Sequence, residues 1–194
     1  MSYTRKGDSG TTKTLRQGGS ARILKSSCAT EALGALDELN ALIGLLKVKS
    51  LQLPFEVRGT SLPALLHAVQ ENLFTAQAEL AGADKRIGAE KVKSLEEIIA
   101  AIEKKLPPVT SFCIPGGTGS GKWSAGRELA AELDLARAVA RRAERRAVAG
   151  IEKKEIKISV ATLAYLNRLS SLLYALVRFL HHSASVPESA PTYQ

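Results

Sequence analysis

LARAVARRAERRAVAG, Leu135 to Gly150, is the most telling stretch of this chain. With Leu129 and Leu133 just upstream, Ala136, Ala140, Ala143 and Ala147 recur at helical spacing. At about 100° per residue these side chains form one apolar stripe along a helix. Arg137, Arg141 and Glu144 fall within an arc of about 60° along one edge of that stripe, whereas Arg142 and Arg146 point away from it. An edge position is neither core nor open solvent, so packing holds a guanidinium there while it still reaches a ligand. Its planar fork matches phosphate oxygens with two parallel hydrogen bonds. Glu144 is placed to orient an arginine or to accept from a sugar hydroxyl. Spacing alone leaves three readings open: a solvated charged face, a nucleic-acid-binding helix and an anion-binding active site.

Outward from this stretch, helical signals dominate. The arginine helix is expected from about Ala125 to Ala149, with Gly150 as its C-cap. A last helix is expected from about Lys154 to His182. The tail beyond it, SASVPESAPTYQ, reads as disordered. Upstream, VTSFCIPGGTGSGK (Val109 to Lys122) forms a loop whose first residues are strand-like. Earlier helices are expected over about Thr30 to Lys47, Leu62 to Ala83 and Ala89 to Lys105. The first carries Leu36, Leu39, Ile43 and Leu46 as its stripe. Pro63 suits the start of the second, and Pro107 and Pro108 end the third. Residues 1–25 are a polar, irregular segment rich in Gly, Ser, Thr and basic residues. The expectation is an all-α bundle of roughly five helices, one domain over residues 1–182, followed by the tail at 183–194.

Composition agrees. The chain has 194 residues, 45% hydrophobic and only 5% aromatic, which suits helices packed through Ala and Leu. A net charge of +8 attracts anions, whether nucleic acid, membrane or polyphosphate. Cys28 and Cys113 form no ligand-spaced cluster, as expected of a protein in a reducing compartment. No signal peptide is recognised, and no apolar run is read as reaching transmembrane length. A cytoplasmic protein is expected, with no membrane partner.

Five motifs, in order, carry a resemblance over nearly the whole chain. They are TRKGDSGTT from Thr4, GALDELNALIGL from Gly34, QENLFTAQAELAG from Gln70, FCIPGG from Phe112, and ARAVARRAERR from Ala136 followed by YLNRLSSLLY from Tyr165. Together they resemble the ATP:corrinoid adenosyltransferases of the trimeric, propanediol-utilisation type. The resemblance implies a five-helix, ferritin-like bundle acting as a homotrimer with active sites between subunits. It implies transfer of the adenosyl group of ATP, held with Mg²⁺, to the cobalt of reduced cobalamin. It assigns ATP binding to Thr4, Arg5, Lys6, Gly7, Thr12, Lys13, Lys25, Arg141, Arg142, Glu144, Arg145 and Asn167. Asp37 and Arg137 match a pair implicated in an intersubunit salt bridge and in cobalamin binding. Phe112 matches an aromatic residue against the corrin. A reductase and an adenosylcobalamin-dependent enzyme are implied partners, and nucleic acid is not.

The chain departs from the family pattern at several points. Arg5 stands where a lysine is usual, and Ser171 where an aspartate is usual. KSSCATEALG, from Lys25, lacks acidic and arginine residues common after the lysine. The step from Gly117 to Arg137 is longer than in the family. A corrinoid carrier or sensor that kept the fold and lost catalysis is the alternative reading; a basic RNA-binding bundle is a weaker one. GGTGSGK, from Gly116 to Lys122, nearly matches a phosphate-binding loop, but Trp123 replaces the Ser/Thr that binds Mg²⁺. No strand–helix alternation supports a parallel sheet around it. His67, His181 and His182 are read as surface or satisfied structural residues.

Overall fold

A computed structural model describes residues 4–15, 22–117 and 124–193. The helices are α1 (Cys28–Lys49), α2 (Leu62–Ala81), α3 (Ala89–Glu103), α4 (Ala125–Glu152) and α5 (Val160–Ser183). Two small antiparallel hairpins accompany them: β1 (Thr11–Lys13) with β2 (Arg22–Leu24), and β3 (Glu56–Val57) with β4 (Thr60–Ser61). α4 packs between α1 and α5, α2 lies against α1, and α3 lies against α5. The all-α bundle expected from the periodicity is the fold observed.

Local chemistry explains the helix ends. The hydroxyls of Ser27, Ser124 and Ser159 accept from the backbone N–H of Thr30, Arg127 and Thr162, capping α1, α4 and α5; such caps are each worth about 1 kcal/mol. Gly82, in the left-handed region at φ 97°, ends α2. Glu79 is a buried carboxylate near the end of α2 that accepts from Ser159 N–H (2.6 Å) and from the Thr162 hydroxyl, fastening the start of α5. Glu155 does the same for α1, accepting from Ala29 N–H at 3.1 Å.

The stripe read from α4 is the core: Leu129, Leu133, Ala136, Ala140, Ala143 and Ala147 are all buried. α5 is the central helix. It is long and apolar enough to cross a membrane by length and composition, contrary to the reading that no run reaches that length. Its Tyr165, Leu166, Leu169, Leu172, Leu173 and Leu176 are buried inside the bundle.

Several expectations are corrected. Gly150 is not the C-cap; α4 runs on to Glu152. A Cβ at Gly150 would stand 2.3 Å from Ile156 Cδ1, so glycine serves close packing there. The chain turns back through Lys154, at φ 59°, to lay Ile156 on it, which is why α5 starts at Val160 and not near Lys154. Val109–Ile114 forms no strand. The irregular N-terminal segment contains β1 and β2, which the sequence did not reveal. The tail is held: Ser189 C=O accepts from Ile114 N–H (2.9 Å), Val186 N–H donates to His181 C=O (2.9 Å), and Glu188 pairs with buried Arg178 (3.0 Å). It reads as disordered from composition, but its Glu188 supplies the one charge Arg178 requires. Most of the phosphate-loop-like stretch and the extra length after Gly117 lie outside the described residues.

Candidate functional site

Three concave regions hold some of the expected site residues. The widest, about 820 Å³, runs along the seam of α4 and α5. Arg137 and Arg141 enter it from α4, Ser171, Tyr174 and His181 from α5, and Phe112 and Cys113 from the loop before α4. Ala190, Pro191 and Tyr193 of the folded-back tail complete its wall. Phe112 stands at the rim, 80% exposed. Arg137 is half-buried and its Nε donates to Asp134, itself buried on the previous turn of α4.

Farther along the same seam lies a smaller polar pocket of about 320 Å³, lined by Arg141, Glu144, Arg145, Glu152 and Asn167 among others. Arg141 borders both regions. Asn167 donates its amide to Glu144 at 2.7 Å and accepts from Arg168 at 2.8 Å. These contacts fix the orientation of the Asn167 amide. Arg141 and Arg145 are exposed and pair with no carboxylate among the described residues. Guanidiniums left without a carboxylate at a pocket mouth are able to bind an anion.

Arg142 behaves differently. It pairs with Glu38 of α1, and Arg146 reaches Glu31 of the same helix. Both sit on the α1 side, as their helical projection expects. Among the described residues, Arg142 therefore does not join the Arg141–Asn167 pocket.

The N-terminal residues gather elsewhere. Arg22 staples their loop, donating to the carbonyls of Lys6 (2.5 Å) and Thr11 (2.8 Å) and to the Thr11 hydroxyl (2.8 Å). Gly10, at φ 77°, makes the turn. Lys25 lies over Gly7, where a Cβ would be 3.4 Å from its Nζ. Thr4, Arg5, Lys6, Lys13 and Lys25 are exposed, and Gly7 and Thr12 half-buried. The loop is tied to the end of α2 through Leu15 N–H and Ala81 C=O, 3.1 Å. Beside Ala81 runs a groove between α1 and α2 holding Asp37, Leu33, Phe74 and Gln77. It shares no residue with the α4–α5 regions. Within one chain, Arg137 pairs with Asp134 and not with Asp37.

Burial is the main perturbation of the wide cleft's titratable groups. It pushes the Cys113 thiol and the Tyr174 phenol up and the His181 imidazole down. The sequence reading missed Asp134, Tyr174, His181 and the tail residues. Only Asp134 carried a signal, its spacing of one helical turn before Arg137. Ser171 lies mid-helix on the cleft wall, not at a helix end. His181 is buried, and its Nε2 has no partner among the described residues, so within them it is neither a surface nor a satisfied residue.

The family model described as cobalamin adenosyltransferase matches residues 2–180. The corrinoid adenosyltransferase PduO of Citrobacter freundii is 35% identical, covering 94% of this chain and 50% of the relative. The chain thus spans about half the length of that relative. The corrinoid adenosyltransferase of Bacillus subtilis (strain 168) is 36% identical over 95% of this chain and 88% of its own length. Among solved structures, a variant PduO-type ATP:corrinoid adenosyltransferase from Lactobacillus reuteri, complexed with cobalamin and ATP, superposes with a TM-score of 0.80 at 28% identity. It covers 99% of this chain and 97% of that one.

Proposed function

Since the chain belongs to the cobalamin adenosyltransferase family, we propose that it transfers the 5′-deoxyadenosyl group of ATP to the cobalt of reduced cobalamin, releasing triphosphate. The observation that carries this is the α4–α5 seam, where a wide cleft rimmed by Phe112 meets a small polar pocket at Arg141. A flat macrocycle suits the first and a nucleotide the second, and the two substrates must meet for the transfer to occur.

The electron pair of Co(I) forms the Co–C5′ bond, and the C5′–O bond breaks with its pair leaving on triphosphate. No proton is removed, so the chain needs no general base. Its work is alignment and charge stabilisation. Arg141 and Arg145 face the phosphates, Glu144 and Asn167 the nucleoside, and Phe112 walls the cobalt's lower face from an axial ligand. Mg²⁺ arrives with the nucleotide; among the described residues no group of three His, Cys, Asp or Glu forms a metal cage. When bound, it neutralises phosphate charge.

The loop carrying Thr4 to Lys13, with Lys25 and Asp37, completes the site from a second copy in a homotrimer. Support comes from charge and exposure. Lys6, Lys13 and Lys25 have no carboxylate partner among the described residues, and Phe74 is 60% exposed beside Asp37. Laying this face on the α4–α5 seam of a neighbour covers the phenyl ring and brings Asp37 to Arg137. The protein works in the cytoplasm, where its two free thiols stay reduced. A reductase supplies Co(I), and an adenosylcobalamin-dependent enzyme takes the product.

The test is anaerobic incubation with reduced cobalamin and Mg-ATP, followed by corrin absorbance. Adenosylcobalamin and triphosphate forming in equal amounts is expected. Binding of cobalamin without alkylation would instead support a carrier.

A further inference from the structure

We infer that His181 is a substrate-binding residue of the wide cleft, hydrogen-bonding through Nε2 to an uncharged carboxamide on the corrin's edge. This rests on the proposed function, because it names a contact within the same cleft.

His181 is 4% exposed, lines the cleft, and its Nε2 is buried with no hydrogen-bond partner among the described residues. A buried, unpaired ring nitrogen costs stability. A core position with that need is ordinarily filled by an apolar side chain. The surrounding polar groups satisfy one another and not the ring. Asp134 binds Arg137, Ser170 donates to Asn167 C=O at 3.1 Å, and Arg178 is occupied by Glu188 and by Pro107 C=O at 2.9 Å. His181 is a buried polar group of the cleft left without a partner among the described residues.

Its chemistry selects the partner. Burial lowers its pKa, so the ring is neutral near pH 7, with one donor and one acceptor nitrogen. A neutral imidazole in a dry wall matches an amide, which carries both functions and no charge. A carboxylate in that place would lose its hydration, and a neutral ring supplies no charge to replace it. The corrin periphery is rimmed with acetamide and propionamide arms, which supply such groups; ATP carries no carboxamide.

The experiment compares wild type with His181→Leu and His181→Gln. Glutamine places an amide nitrogen near the position of Nε2; leucine places none. Cobalamin affinity is read by spectral titration, ATP KM by turnover, and Tm on the free protein. Leucine is expected to weaken cobalamin binding about tenfold, the scale of one hydrogen bond. It should leave the ATP KM unchanged and Tm unchanged or raised, because it removes an unpaired polar atom. Glutamine should restore most of the affinity. Unchanged cobalamin affinity in the leucine variant, or a large fall in its Tm, would mark the ring as structural and overturn the inference while adenosyl transfer by the wild type stands. A wild type that binds no cobalamin would sink the functional reading, and this contact with it.

Discussion

Arg141 and Arg142 are neighbours in sequence on different faces of α4, and replacing each by alanine separates them. Arg141 is exposed, unpaired with any carboxylate among the described residues, and shared by both α4–α5 regions. Its loss removes no internal contact, so folding stability should move by no more than about 0.5 kcal/mol. With Mg-ATP bound, the same change deletes charge-assisted hydrogen bonds, each worth about 1.5–3 kcal/mol. That corresponds to a fall in kcat/KM for ATP of about 10- to 150-fold. Arg142 sits on the α1 side and pairs with Glu38, both partners about half exposed. A surface pair of this kind contributes at most about 1 kcal/mol, and Arg142→Ala should leave the ATP kinetics within about twofold. The assay is adenosylcobalamin formation at varied ATP, with Tm in parallel. Equal losses of activity in both variants would refute the division of the helix into two faces. A large fall in Tm for Arg141→Ala would refute its assignment as a residue kept for a ligand.

Other perturbations probe the scaffold. Gly150→Ala gains about 1 kcal/mol of helix propensity but drives its Cβ to 2.3 Å from Ile156 Cδ1, an overpacking cost of about 1–3 kcal/mol. Thermal melts should show a net loss of about 1 kcal/mol, or about 3 °C; a raised Tm would contradict the close approach. Tyr165, buried and accepting from Asn72 at 3.1 Å, has its pKa pushed up to about 12 by burial. Between pH 10 and that value the unfolded chain ionises its phenol while the fold keeps it protonated. Stability is therefore full below pH 10 and declines above it, by up to about 3 kcal/mol. Denaturant curves should show that this share of the alkaline loss is absent from Tyr165→Phe. Glu188→Ala removes the partner of buried Arg178, so the tail should release. Hydrogen exchange at Ile114 N–H, now bonded to Ser189 C=O, should accelerate; an unchanged rate would show that the ion pair does not hold the tail.

The α4 register was legible in the sequence because an apolar stripe with a charged edge is a local, periodic property. It identified the buried alanines and separated Arg141 from Arg142 before any coordinates. Gly150 misled because glycine after a helical run is the usual stop signal, and only the return of Ile156 shows it to be a packing contact. The β1–β2 hairpin is held by Arg22 binding two carbonyls, an interaction no pattern of side chains encodes. The tail reads as disordered from composition; its order depends on Arg178, a cation buried on α5. His181 reads from sequence as a surface or satisfied residue because burial with an unmet hydrogen bond is a tertiary fact. The N-terminal motif and Asp37 were legible only through resemblance, and in one chain they lie apart from the arginines.

That separation is the reason we propose one adenosyl-transfer site made from two faces of different copies. Mixing Lys25→Ala with Arg141→Ala subunits, after dissociation and reassembly, tests it most directly. Each variant alone should be nearly inactive. The mixture should regain adenosylcobalamin formation, because some interfaces then join an intact loop to an intact seam. A mixture no more active than its parts, beside an active wild type carried through the same reassembly, would contradict a site shared between copies.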